Sequence, residues 1–177
     1  MSALALNLDV TTGGDRSLGA VRALTHQALE WNINHIDLAS SEAATRHAVE
    51  GLLGCLFEQE LKGHRDDLII TTNAGERVWA GPYGAGGGRK HILSSLDQTL
   101  GRLGLEYVDV LCAGPFDDET PLDETMSAIH DAIRVGKARA MPGCLRTLVT
   151  RPARQSSSST VSLSITACPQ CSPQIRS

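Results

Sequence analysis

What this chain lacks narrows its class before any motif is considered. No apolar run approaches the roughly 20 residues that a membrane-spanning helix requires, and the stretch Met1 to Val10 lacks the basic start of a secretory signal. An excess of positive charge is missing too. The formal net charge is -4, which gives no broad electrostatic reason to bind nucleic acid. No aromatic or charged patch singles out a docking face. Among the 5 cysteines, Cys55, Cys112 and Cys144 are widely spaced, and only Cys168 and Cys171 form a Cys-x-x-Cys pair. An odd number at such gaps is no disulfide framework and fits a reducing compartment, so the cytoplasm is the expected location. No second Cys or His pair stands nearby to complete a tetrahedral zinc site, so a metal is not expected. Length is short as well: 177 residues fall below the roughly 250 of a complete eight-unit α/β barrel.

What is present is an alternation of short apolar runs with amphipathic stretches of helical period, the pattern of successive βαβ units over a parallel sheet. Strands are expected at Ala3 to Leu8, His35 to Leu38, Leu68 to Thr72 and Val108 to Cys112, with a weak fifth at Ala138 to Met141. Helices are expected at Ser17 to Trp31, Ala44 to Leu61, Lys90 to Leu103 and Leu122 to Val135. In the third helix, Ile92, Leu93, Leu96, Leu100 and Leu103 recur at three- and four-residue steps and bury one stripe, and Gly104 stops it. Asp123 and Glu124 suit the positive end of the fourth helix, and Gly136 ends it.

Beyond Arg146 the composition turns to Arg, Ser, Thr and Pro and the alternation stops. Residues 1–146 are therefore expected to form one domain. Residues 147–177 are expected to be a disordered tail, in which Val161, Leu163 and Ile165 alternate with polar residues as in a single short strand.

The segment GPYGAGGGRKHILSSLDQTLGRLGLEYVDV, Gly81 to Val110, resembles the aldo/keto reductases of the glyceraldehyde-3-phosphate reductase and potassium-channel β-subunit type. The likeness extends through His35 to Ala39, Arg65 to Thr72 and Asp117 to Met126, and covers Ala3 to Ala138, the N-terminal half of that fold. The resemblance implies a partial (β/α)8 barrel of four to five units and, for an intact member, carbonyl reduction by NADPH with an Asp, a Tyr, a Lys and a His at the carboxyl ends of the strands. On that implication Asp37 is the only retained position of the four. Glu42 stands where the Tyr belongs, Asn73 where the Lys belongs and Gly114 where the His belongs.

Three readings follow. The first is a truncated, catalytically inactive homologue with no cofactor. In the second, a residual NADP(H)-dependent oxidoreductase acting on small aldehydes or ketones uses Asp37 and Glu42 as base and acid, Glu42 being a carboxyl kept neutral by burial. The third is a non-enzymatic interaction module. The loops that grip the cofactor's phosphates after the last strands have no counterpart here. Gly84 to Gly88 with Arg89 and Lys90 could cradle a phosphate at a helix start, although a plain turn-forming loop accounts for the same residues. Four or five parallel strands leave two open edges and bare the inward layer of side chains, so marginal stability or self-association to form a homo-oligomer is expected.

Overall fold

The computed structural model describes residues 4–8, 17–39, 43–114, 117–142 and 164–167, with only the backbone given for residues 43–45 and 164–167. Five parallel strands run in chain order: β1 (Leu4–Asn7), β2 (His35–Asp37), β3 (Ile69–Ala74), β4 (Val108–Ala113) and β5 (Ala138–Ala140). Between them lie α1 (Leu18–Glu30), α2 (Ala43–Leu56), α3 (Arg89–Leu103) and α4 (Leu122–Arg134). Each crossover returns to the neighbouring strand, so the described residues build successive units of an open (β/α) barrel.

Local chemistry accounts for the helix ends. The Ser17 hydroxyl accepts the Ala20 amide at 3.2 Å and starts α1. Gly104 ends α3 at φ +66°, a left-handed conformation that a side chain resists. The second helix departs from the simple expectation of one α-helix to Leu61. Its α-helical part stops at Leu56, and a π-helical turn (Phe57–Leu61) and a 3-10 segment (Lys62–Asp67) carry the chain onward. The wider turn places Phe57 and Leu61 together in the core.

The two faces of the sheet differ in chemistry. Leu6, Ile36, Leu38, Ile70 and Leu111 join Val21, Leu53, Ile92, Leu96 and Ile129 of the helices in the hydrophobic core. Because side chains alternate along a strand, the register pairs Leu6–Ile36 and Asn7–Asp37–Thr71–Val110 lie on opposite faces. The inward face therefore carries Asn7, His35, Asp37, Thr71 and Asn73. Over β2 and β3 the inward layer is polar rather than apolar, with His35, Asp37, Thr71 and Asn73 buried and His35 Nε2 2.7 Å from Thr71 Oγ1, whereas in β4 and β5 the same register places Val108, Val110 and Ala138 on this face.

The edges also differ from expectation. A sixth strand, β6 (Ser164–Ala167), pairs antiparallel with β1, giving the order β5-β4-β3-β2-β1-β6. The tail's short strand stands at Ser164–Ala167, overlapping the alternation of Val161, Leu163 and Ile165 at Ile165, and the rest of residues 147–177, with Cys168 and Cys171, lies outside the described residues. None of the described helices is long and apolar enough to cross a membrane.

Candidate active site

In barrels of this kind chemistry gathers at the carboxyl ends of the strands, and three strands converge there. Register sets Asp37 of β2 beside Thr71 of β3, and Asn73 beside Cys112 of β4. Asp37 Oδ1 accepts the Ala39 amide at 2.9 Å, a local turn in which the carboxylate shapes the strand exit. Glu42 lies outside the described residues, so its relation to Asp37 is not part of this geometry.

Asn73 is buried and fully engaged. Its Oδ1 accepts from Arg46 Nη1, and its Nδ2 donates to the Ala39 carbonyl and to Glu76 Oε1, each at 3.1 Å. Arg46, on the first turn of α2, is only 2% exposed, and its Nη1 also lies 3.0 Å from Glu76 Oε2. Its Nε is 3.7 Å from Glu50 Oε1. Glu50 in turn accepts from Arg102 Nε of α3 at 2.6 Å and from the Thr99 hydroxyl at 3.1 Å. The uncharged Asn73 at the expected lysine position thus has a guanidinium beside it, Arg46, which enters from the helix layer. The opposite charges of Arg46 and Glu50 at i,i+4 were visible in the sequence; their burial was not.

These groups perturb their neighbour. Burial is the main cause that holds the His47 imidazole below its ordinary range, with the Arg102 and Arg46 charges adding to it and Glu76 opposing.

Gly114 follows β4 and touches the end of β3. Its amide donates to the Ala74 carbonyl. A Cβ at this position would stand 2.6 Å from that oxygen.

The glycine-rich segment before α3 is closed by the chain's own carboxylates. Asp117 Oδ2 accepts the Gly87 amide at 2.7 Å, and Glu124 Oε1 accepts the Arg89 amide at 2.8 Å. The Thr120 hydroxyl is the largest of several donors that hold the Asp117 carboxyl below its usual range, followed by the Gly87 amide. The Arg89 side chain pairs with Asp131, and Lys90 lies 4.6 Å from the centre of the Tyr83 ring. His91, buried, sets both ring nitrogens 2.9 Å from backbone carbonyl oxygens of Tyr83 and Glu76, tying this segment to α3. A phosphate would meet negative charge at the amides that would have to receive it.

The larger depressions lie elsewhere. One groove of about 700 Å³ runs along Gly54, Phe57, Lys62, Arg65, Gly104 and Tyr107, and another of about 750 Å³ runs along His26, Asn34, Leu61, His64 and Leu68. Both flank the amino ends of β3 and its neighbours. Among the described residues no cluster of three or more His, Cys, Asp or Glu is placed to hold a metal.

Comparison with known proteins agrees with this architecture. Two L-glyceraldehyde 3-phosphate reductases, from Escherichia coli strain K12 and from Escherichia coli O157:H7, are each 42% identical to the chain over 138 residues. That alignment takes in 78% of this chain and 40% of each relative, so the chain spans well under half the length of the curated proteins it matches. An aldo-keto reductase from Bacillus halodurans, solved in its holo form, superposes with a TM-score of 0.65 at 25% identity, over 79% of this chain and 45% of that one. The family model described as "Aldo/keto reductase family" matches residues 15–142, and with the parallel strands and crossover helices in the same order the chain belongs to the aldo/keto reductase family.

Proposed function

We propose that this chain is a catalytically inactive aldo/keto reductase homologue that neither binds NADP(H) nor reduces carbonyl compounds. The observation that carries the reading is the state of Asn73: every polar atom of its side chain is committed to Arg46, Glu76 or the Ala39 carbonyl. Among the described residues, the strand-end pole offers a substrate oxygen neither a general acid nor a free cation. A positioned general acid is worth about 10² to 10⁴ in rate, and groups acting as one catalytic unit fail together when one is removed.

The chain's own residues also fit the cofactor poorly. Asp117 and Glu124 occupy the Gly87 and Arg89 amides at the start of α3, and Arg89 is already paired. The reading places the protein in the cytoplasm, consistent with Cys55 standing exposed as a free thiol. It also allows self-association through β5, which within the described sheet is paired only with β4 and carries Arg139 and Ala140 exposed.

Titration of NADPH into the purified chain, followed by fluorescence and calorimetry, tests the proposal together with turnover of small aldehydes. No saturable binding below the millimolar range and consumption at background are expected. Micromolar affinity, or turnover abolished by Asp37→Asn or Glu42→Gln, overturns it.

A further inference from the structure

We propose that Arg46 is the positioning residue of the strand-end pole and that it is coupled to Asn73, the two positions together accommodating one cation. The evidence is geometric. Arg46 and Glu50 are 2% and 0% exposed, and the linked groups Arg102, Glu50, Arg46 and Glu76 run from the end of α3 through α2 to the segment after β3. Within this chain of contacts, two guanidinium groups face two carboxylates. The network is neutral.

Asn73 complements it by chemical type. An amide has an acceptor at one end and donors at the other, and here the acceptor meets Arg46 while the donor end meets the Ala39 carbonyl and Glu76. A lysine in its place would offer Arg46 no acceptor and would add a second cation beside a guanidinium already desolvated, where like charges repel most strongly. An aspartate would accept from Arg46 but give the Ala39 carbonyl nothing. The residue at 73 and the residue at 46 are thus halves of one arrangement, in which the pole's positive charge enters from a helix rather than from β3. By holding Glu76, Arg46 also fixes the segment leading to Trp79 and His91, whose rings lie 5.0 Å apart. The coupling stands whether or not the chain turns over a carbonyl compound.

The test compares the full chain with Asn73→Lys, Arg46→Gln and the double variant, which moves one cation from α2 to β3 and keeps the network neutral. Losing one partner of a buried ion pair, as in Arg46→Gln, and adding an unmatched cation beside one, as in Asn73→Lys, are each expected to lower the melting temperature of a chain this size by roughly 10 °C. The double variant is expected to recover at least half of the summed loss; simple additivity overturns the proposal. Should the lysine variant fail to fold, Arg46→Lys against Arg46→Gln decides, because the lysine variant keeps the charge. It should melt well above the glutamine variant, and equal melting refutes the coupling. A magnetic-resonance titration of His47, compared between Arg46→Gln and Arg46→Lys, adds a readout of the Arg46 charge. Its midpoint should rise in Arg46→Gln and stay put in Arg46→Lys, whereas an unchanged midpoint in both overturns the assignment.

Discussion

The amide of Gly114 donates to the carbonyl of Ala74, and a Cβ on Gly114 would lie 2.6 Å from that oxygen and 3.1 Å from the Cα of Gly75. The ends of β3 and β4 therefore meet backbone to backbone at the position where family resemblance calls for a histidine. The small, partly open space framed by Ala74, Gly75, Gly114 and Asp117 is about 20 Å³, room for one water and not for an imidazole. Restoring the side chain would force the strand ends apart.

Gly114→His is accordingly predicted to lower stability by about 1 to 3 kcal/mol, the usual cost of overpacking, and to confer no carbonyl reduction. Urea unfolding measures the first part and NADPH consumption the second. A variant as stable as the parent would show that the close approach of these strand ends is not required.

How much of this was legible beforehand depends on which interaction decides. Strand and helix positions could be read because Ile92, Leu96, Leu100 and Leu103 advertise their stripe in the periodicity itself, and all four are buried. Gly104 and Gly136, at φ +66° and +83°, mark helix ends by a rule local to the backbone. The charged network was not legible. Arg46, Glu50 and Arg102 look like the solvated face of two helices, and only the approach of α2 to α3 takes them out of water. The polar inward face escaped for a related reason: period-two alternation is readable in a strand, but which face meets the helices is a tertiary fact. For β6 the alternation of Val161, Leu163 and Ile165 with polar residues signalled a short strand near Ser164–Ala167, but nothing in it named β1 as the antiparallel partner.

That approach of α2 to α3 rests on Gly54. A Cβ there would stand 2.2 Å from the carbonyl oxygen of Arg102 and 3.3 Å from its carbon, so the helices touch where one has no side chain. Gly54→Ala gains helix propensity, worth up to about 1 kcal/mol, but must displace α3 backbone that carries the Arg102 to Glu50 pair. The steric term is expected to win. A net loss of about 1 to 3 kcal/mol in chemical denaturation is predicted, and a stabilised variant would contradict the helix contact.

Stability should depend on acidity in two windows. In the folded chain the His47 imidazole is held below its ordinary value of 6.5, so above that pH neither state is protonated and the group is silent. Below it the unfolded chain takes up the proton first, and stability falls as pH drops from about 6.5 towards the folded value. Asp117 acts lower down. Its folded value lies beneath the ordinary 3.8, so its contribution is present above about pH 4 and is lost as pH falls further. Melting temperatures from pH 7.5 to 3 should thus show two declines, the upper one reduced in His47→Gln and the lower one in Asp117→Asn. A flat profile between pH 7 and 5 would remove His47 from the account.

The outer edge of β1 supplies the last prediction. Leu4, Ala5, Leu6 and Asn7 face Ala167, Thr166, Ile165 and Ser164 in antiparallel register, so this edge is satisfied by the chain's own tail. β5 and β6 sit at opposite sides of the sheet, and strands about 4.8 Å apart put those edges some 25 Å from each other. Residues 143–163 are numerous enough to cover that distance, since a chain can span up to about 3.3 Å per residue. A chain ending at Pro142 bares the edge and is predicted to elute as larger species and to melt lower, because an unpaired strand edge templates association. Ile165→Pro should reproduce part of the effect by removing a backbone donor, and adding a peptide of residues 160–170 should reverse it for the truncated chain. A truncated chain that stays monomeric with an unchanged melt would mean that β6 leaves the stability of the sheet untouched.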